Sequence, residues 1–390
     1  MMKSRAAVME APGQVRVREF DVPEAGPGAV VIKILMSGIC GTDKHTFRGE
    51  SKQYAGTAHE RDIEYPLICG HENVGVVVDV GGEVRDSDGE LLRPGDRIVP
   101  GANVPCRTCY YCTNNYPYYF CVHMEDYGNS LNCKSAPYLM GGWSEYMYLL
   151  PGTPIFRVPE SLPDEVAVIT EVMAVTHGIE TAYALLALQG NPPVGRNVVV
   201  LGVGPLGLCH VVKARLTGAG RIIATDKFPS RLELAGDLGA DDLLNVATTS
   251  AKDRLAVVAA MTGGRGADIV IDCSGVPDTF VEGLKMVRTG GVLVEAGTFV
   301  DMGPVSINPN SDICTRNVSV VGVGGETASS YTPAMALMAA NLDRYPLGRI
   351  VTHQFGLDEA QQAVITAQSD EAMQVVINPS LKSTTERASS

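Results

Sequence analysis

Apolar and polar positions follow two different rhythms along the chain. Between about residues 5 and 155 the runs are short and strand-like. VVIKILMSGIC, GVVVDVGG, DRIVPG and SEYMYLL are continuous or alternating apolar stretches punctuated by Gly and Pro. This predicts an irregular, mostly β domain. The rhythm changes near residue 164, where PDEVAVITEVMAVTHGIETAYALLAL has helical spacing with Pro and Asp at its start. From about 195 to 323, apolar strands alternate with helical segments: NVVVLGV, RIIATD, ADIVIDCSG, GGVLVEAG and VSVVGVGG. Such alternation predicts a parallel sheet with helices on both faces. A helix (TPAMALMAANL), a strand (IVTHQF) and a second helix (LDEAQQAVITAQ) follow, and LKSTTERASS reads as a frayed tail.

The length of 390 residues fits roughly two domains. A net charge of −13 argues against nucleic acid or an anionic membrane as the main partner. The stretch MMKSRAAVMEAPGQ has no apolar h-region, and no run of 18 apolar residues occurs, so no membrane span is expected. A cytoplasmic protein with reduced thiols is the expectation. Its ten cysteines then need a purpose other than disulfides.

The run NVVVLGVGPLGL is a strand followed by Gly202-Val203-Gly204-Pro205-Leu206-Gly207, and it opens a helical stretch. The first glycine allows a tight turn, the second lets backbone approach a pyrophosphate, and the third lets helix meet strand. The pyrophosphate then meets free N–H groups at a positive helix end. Nineteen residues on, RIIATD ends in Asp226. A carboxylate there accepts hydrogen bonds from the ribose hydroxyls of NAD and repels the 2′-phosphate of NADP. Lys227 and Arg231 follow closely and soften that preference.

Two groups of residues have metal-ligand character. CRTCYYC supplies Cys106, Cys109 and Cys112, with Cys121 nine residues further on and Cys133 in the same loop as an alternative fourth ligand. Four thiolates close a tetrahedron around Zn²⁺ with no open position, so such a site is structural. GICGTDKHTFRG and CGHENVG supply Cys40 and His71. Catalytic zinc commonly takes three protein ligands and keeps one position open. The third would be Glu72, beside His71, or Glu171 in ITEVMAV. Taken alone, Cys40 and His71 are weak evidence, since a buried Cys is usually a small hydrophobe and a lone His is more often structural.

In this order, GICGTDKH, GHENVG, GDRIVPG, CRTCYYC, GGWSEYM, TEVMAVTHGIE, VVVLGVGPLG, ATD, GADIVIDCSG and GGVLVEAG resemble the zinc-dependent medium-chain alcohol dehydrogenases over nearly the whole chain. The resemblance implies an α/β fold: a Rossmann doubly wound parallel sheet (179–325) interrupting a GroES-like, mostly-β catalytic domain (1–178 and 326–390). It implies a homodimer or homotetramer, often paired through the edge strand that VSVVGVGG would form. It implies zinc and NAD as cofactors, with substrate and nicotinamide meeting in the cleft between domains. Cys40, His71 and Glu171 match the catalytic zinc ligands, and Glu72 a carboxylate that binds the metal transiently. Thr42 matches the hydroxyl that takes the substrate proton, His45 the imidazole that passes it to solvent, and Asp43 the carboxylate that orients the ligand imidazole. The Glu171 position places the chain with the polyol, sorbitol and threonine dehydrogenases. Three features depart from the family pattern: a Cys112–Cys121 gap one residue longer, an insertion near residues 47–66, and Val172 where proline is usual.

The reaction implied is hydride transfer between a secondary or polyol-like alcohol and NAD, with zinc as Lewis acid and a proton relay through Thr42 and His45. An aldehyde or ketone reductase, a dismutase that retains its NAD, and a non-catalytic NAD-binding relative are the alternatives. His177 is read as a helix N-terminal residue, His59 as solvated, and Arg97 as packing a turn. Nine of 14 tyrosines lie between Tyr110 and Tyr148, which points to packing of the cysteine loop or an interface ahead of a substrate wall.

Overall fold

The computed structural model describes residues 2–50, 52–53, 56, 60–190 and 194–382. His59 and residues 383–390 of the tail lie outside the described residues. The chain divides into two compact units: Met1–Glu171 with Thr327–Asn341 and Val351–Ser390, and Val172–Glu326 with Leu342–Ile350.

The first unit is built on a seven-stranded sheet. Its path runs Ile155–Arg157, Arg97–Pro100, Asn73–Val80, Val30–Gly38, Gln374–Ile377, Val351–Phe355, and Tyr146–Leu149 also pairs with Val30–Gly38. β-Branched residues dominate the central strands because they fill a pleated, buried surface. Val30, Ile32, Ile34, Val77 and Ile98 form one core with Met147 and Tyr127. Strand Val30–Gly38 runs antiparallel to Asn73–Val80, with Ser37 opposite Asn73. That register settles where the chemistry lies. Cys40 follows the end of one strand and His71 precedes the start of the other, so both emerge at the same end of the sheet.

Past Cys40, the chain forms the helix Gly41–Arg48 and a small ribbon, Lys52–Gln53 with Arg61–Asp62. This inserted segment is anchored to the chain after Cys121. Arg61 Nη1 donates to the Met124 carbonyl at 2.9 Å and Nη2 pairs with Asp126, while Lys134 meets Glu64 at 2.8 Å. Arg97 donates to Asp164 at 3.0 Å and to the carbonyls of Pro159 and Leu162, which ties a strand to the turn that follows it.

The second unit holds six parallel strands in the order Asp242–Asn245, Arg221–Asp226, Asn197–Leu201, Ala267–Asp272, Val287–Glu295, Ser319–Gly322. Val198, Val199, Val200, Ile269, Val270 and Ile271 are fully buried. Continuous apolar runs of this kind are what a sheet covered on both faces requires. With the first strand in the middle, the order reverses beside Leu201, and ligands of such sheets bind outside the carboxyl ends of the strands at that point.

The long helical stretch after residue 164 is broken into Asp164–Ala167, Thr170–Val175 and Gly178–Leu188. Thr170 Oγ1 donates to the Ala167 carbonyl at 2.6 Å, and Thr176 Oγ1 to that of Met173 at 2.7 Å. Each hydroxyl competes for a carbonyl three residues back, and threonine's preference for such local bonds ends helices. Among the described residues, no helix is long and apolar enough to cross a membrane.

Candidate active site and metal centres

Cys40, His71 and Glu72 offer a sulfur, an imidazole nitrogen and a carboxylate oxygen that all lie within 4.8 Å of one another. Glu171, in the first turn of Thr170–Val175, stands outside that trio but close enough to act on His71. Asp43 is fully buried and staples the two ligand-bearing loops: Oδ2 accepts the Cys40 N–H at 2.8 Å and Oδ1 the Gly70 N–H at 3.4 Å. The His71 Nδ1 is buried with no hydrogen-bond partner, and so is the Thr42 hydroxyl. Asp43 therefore neighbours the imidazole without bonding that nitrogen.

The electrostatics of the trio fit a cation. Burial alone would push the His71 imidazole down, yet Cys40, Asp43 and Glu171 carry it well above the ordinary value. Burial lifts Glu72 to about 7 against the pull of His71. A sulfur, an imidazole and a carboxylate in so dry a place are a donor set suited to Zn²⁺. His45 lies on the same short helix, with Nδ1 3.0 Å from Glu50 Oε2 and 2.9 Å from Arg48 Nη2. Burial lowers its pKa, so it is mostly neutral at pH 7 and able to accept a proton.

Cys106, Cys109, Cys112 and Cys121 form a second set within 4.8 Å. Cys133 is elsewhere, in the core beside Leu67 and Ile68, its thiol donating to the Pro66 carbonyl at 3.3 Å. Against the push of burial, hydrogen bonds from Thr108 and the Cys109 amide bring Cys106 down to about 5, while burial carries Cys121 up to about 12. Four sulfurs with no further donor match a closed tetrahedral zinc site. Tyr110, Tyr111, Tyr116, Tyr119 and Phe120 pack against one another around this loop, with ring centroids 4.6 to 6.2 Å apart. Much of the tyrosine enrichment is spent here.

In the second unit, Gly202 has φ +80°, a conformation that L side chains rarely adopt, and a Cβ there would lie 2.7 Å from the Ser274 backbone. Gly204 caps the helix Pro205–Leu216, with Pro205 in its first turn. Among the described residues, and apart from its chain neighbours and its own helix, only the Arg231 guanidinium comes within 4 Å of where a Cβ on Gly204 would stand. That open face leaves room for a ligand to approach the backbone. Asp226 ends its strand with Oδ2 accepting the Val203 N–H at 2.9 Å and Oδ1 the Phe228 N–H at 3.0 Å. Lys227 Nζ and the Arg231 guanidinium lie 4.5 and 4.6 Å from the Phe228 ring centre. His177 precedes the helix Gly178–Leu188, with Nε2 2.9 Å from the Gly325 carbonyl.

Comparison with known proteins gives this geometry its context. Residues 26–160 match the alcohol dehydrogenase GroES-like domain and residues 205–340 the zinc-binding dehydrogenase domain. A 5-exo-hydroxycamphor dehydrogenase of Pseudomonas putida is 30% identical over 98% of this chain and 100% of its own length. The chain belongs to the zinc-dependent alcohol dehydrogenase family. A sorbitol dehydrogenase of Bombyx mori is 31% identical over 97% of the chain and 99% of its own length. An alcohol dehydrogenase of Thermotoga maritima superposes with a TM-score of 0.87 at 32% identity, covering 97% of this chain and 100% of that one. A protein described as a zinc-binding dehydrogenase from Sinorhizobium meliloti, solved with NADP, has a TM-score of 0.81 at 26% identity over 97% and 100%. The dehydrogenase is thus a GroES-like domain combined with a doubly wound α/β unit.

Two features of this dehydrogenase escaped the sequence reading. Gln374, 2% exposed, donates from Nε2 to Glu72 Oε2 at 2.5 Å. Asp272 and Glu295 are register partners on adjacent parallel strands, and each keeps one buried oxygen without a partner. The second had a signal: in ADIVIDCSG and GGVLVEAG a carboxylate ends a run that is otherwise apolar.

Proposed function

We propose that the chain oxidises a secondary or polyol-type alcohol with NAD, using zinc held by Cys40, His71 and a glutamate. The observation that carries this is the cluster itself: three different zinc donors within 4.8 Å, around a buried imidazole nitrogen and beside a buried hydroxyl that both lack partners. Zinc bound there supplies a Lewis acid that lowers the pKa of a substrate hydroxyl. The chain's own residues do the rest. Thr42 accepts the hydroxyl proton, since a hydroxyl both accepts and donates. His45, neutral and flanked by Glu50 and Arg48, takes the proton toward solvent. NAD, when bound, would supply the acceptor for the hydride of the substrate carbon, whose oxidation leaves a carbonyl. Glu72 and Glu171 are the alternative third ligands. Cys106, Cys109, Cys112 and Cys121 hold a second, structural zinc. The names of the hydroxycamphor and sorbitol dehydrogenases support a secondary alcohol as substrate.

The turn Gly202-Val203-Gly204-Pro205-Leu206-Gly207 would hold the dinucleotide, with Asp226 available to its ribose and Lys227 and Arg231 nearby. A panel of secondary alcohols and polyols, followed by reduced-nicotinamide absorbance with NAD and with NADP, tests the whole reading. Turnover that a chelator stops is expected; turnover indifferent to the chelator overturns it. Asp226→Gly removes a charged acceptor worth about 1.5–3 kcal/mol. The NAD-to-NADP ratio of kcat/KM should then fall about 10- to 100-fold. The lost Val203 and Phe228 anchors weaken both cofactors alike, so the ratio is the quantity to read. A constant ratio rules out the ribose role.

Assembly as a homodimer or homotetramer is part of this proposal. Ser319–Gly322 is the edge of the parallel sheet, and Val320 on it is 42% exposed. An exposed apolar edge invites pairing with a second copy. Val320→Glu is expected to lower the sedimenting mass to that of a smaller species; an unchanged mass places the contact elsewhere.

A further inference from the structure

Three segments far apart in sequence meet beside the Cys40–His71–Glu72 cluster. Strand Val30–Gly38 runs between Asn73–Val80 and Gln374–Ile377, with Ser37 opposite Asn73 and Gly38 opposite Val376. The side chains of Glu72 and of Gln374, two residues before Val376, both reach Gly38. The Gly38 N–H donates to the Glu72 carbonyl at 2.8 Å. The two side chains close over Gly38, where Gln374 Nε2 donates to Glu72 Oε2 at 2.5 Å. A Cβ on Gly38 would overlap the Glu72 carboxylate and come within 2.7 Å of Gln374 Nε2. Glycine is needed here for room. Both Glu72 and Gln374 are 2% exposed, so water does not replace this hydrogen bond when it is lost.

We propose that Gln374 is a positioning residue for the metal centre: its amide fixes the Glu72 carboxylate in the orientation that faces Cys40 and His71. The proposal rests on reading that cluster as a zinc site. A glutamate has three rotatable side-chain bonds, and an unheld carboxylate beside a cation samples several directions. A neutral amide holds one oxygen while leaving the negative charge available to the metal. A Lys or Arg in its place would pair off that charge. Hydrogen-bond partners of ligating side chains typically contribute about 10- to 100-fold to metal affinity.

The test uses the full-length protein and Zn²⁺ itself as the probe. The ion that Cys40→Ala lacks and the wild type holds identifies the site. Gln374→Met keeps the length and bulk of the side chain and removes the donor. Chelator competition should show affinity for that ion falling about 10- to 100-fold, with the four-cysteine ion retained. Gln374→Asn, one methylene short of Glu72, should weaken the same ion. In a Glu72→Ala background Gln374→Met should add nothing, because the residue acts through Glu72. Wild-type affinity in both Gln374 variants overturns the proposal, as do effects that add in the double variant. A wild type that holds no ion beyond those of Cys40→Ala removes the zinc reading and the proposal together.

Discussion

Cys40→Ala is expected to lower kcat for alcohol oxidation by at least about 1000-fold while leaving fold and dinucleotide binding intact. The magnitude follows from the role. A metal acting on the substrate oxygen supplies several kcal/mol of charge stabilisation, and each 1.36 kcal/mol is a factor of about ten in rate. Among the described residues, the sulfur of Cys40 is one of three donors in its cluster, so on the proposed reading its loss takes away the one thiolate that would hold the ion. The fold survives because the link between Asp43 and residue 40 runs through the backbone N–H, which alanine keeps. The dinucleotide turn lies in the other unit and keeps its Gly202 and Asp226 geometry. Single-turnover kinetics, thermal unfolding and dinucleotide titration check the three parts. Turnover near the wild-type rate defeats the catalytic assignment, and loss of fold defeats the separation of roles.

Asp272→Asn should raise the stability of the parallel-sheet unit at pH 8. Burial, and then repulsion from Glu295, lifts the Asp272 carboxyl from its ordinary 3.8 to about 7. Below the unfolded value both states hold the proton. Between the two values only the folded state does, so the stability linked to Asp272 is complete in acid and is lost as pH rises through about 7. The full displacement corresponds to about 4 kcal/mol. Asparagine stays neutral and keeps an acceptor for the Ser274 N–H, which Asp272 Oδ1 now takes at 2.9 Å. Its NH₂ can also donate to the unpartnered Oε2 of Glu295. Urea unfolding across a pH series should show a gain of up to about 4 kcal/mol at pH 8 that shrinks on acidification and vanishes below about pH 4. A variant no more stable than wild type at pH 8 contradicts the account.

What the sequence disclosed depended on distance along the chain. Gly202, Gly204 and Gly207 lie within six residues, and Cys106, Cys109 and Cys112 within seven, so one turn or loop fixes them. The parallel strands were legible because NVVVL and ADIVID must be apolar on both faces. Cys40 and His71 lie 31 residues apart and needed the register of Ser37 against Asn73 to bring them to one sheet end. Gln374 lies 302 residues from Glu72, and nothing local in AMQVVINP marks its amide as a partner. The breaks after Ala167 and Val175 were hidden because helical periodicity reports which face is apolar and is silent about a threonine hydroxyl taking a carbonyl three residues back. The third ligand stayed open for a related reason: Glu72 and Glu171 differ in proximity to Cys40, which only packing decides.

The most direct measurement is zinc per chain, by elemental analysis of zinc-loaded wild type and of Cys40→Ala prepared in the same way. The account predicts one ion for each of the two clusters in the wild type, and in the variant only the ion of the four cysteines. Equal zinc in the two proteins would contradict it.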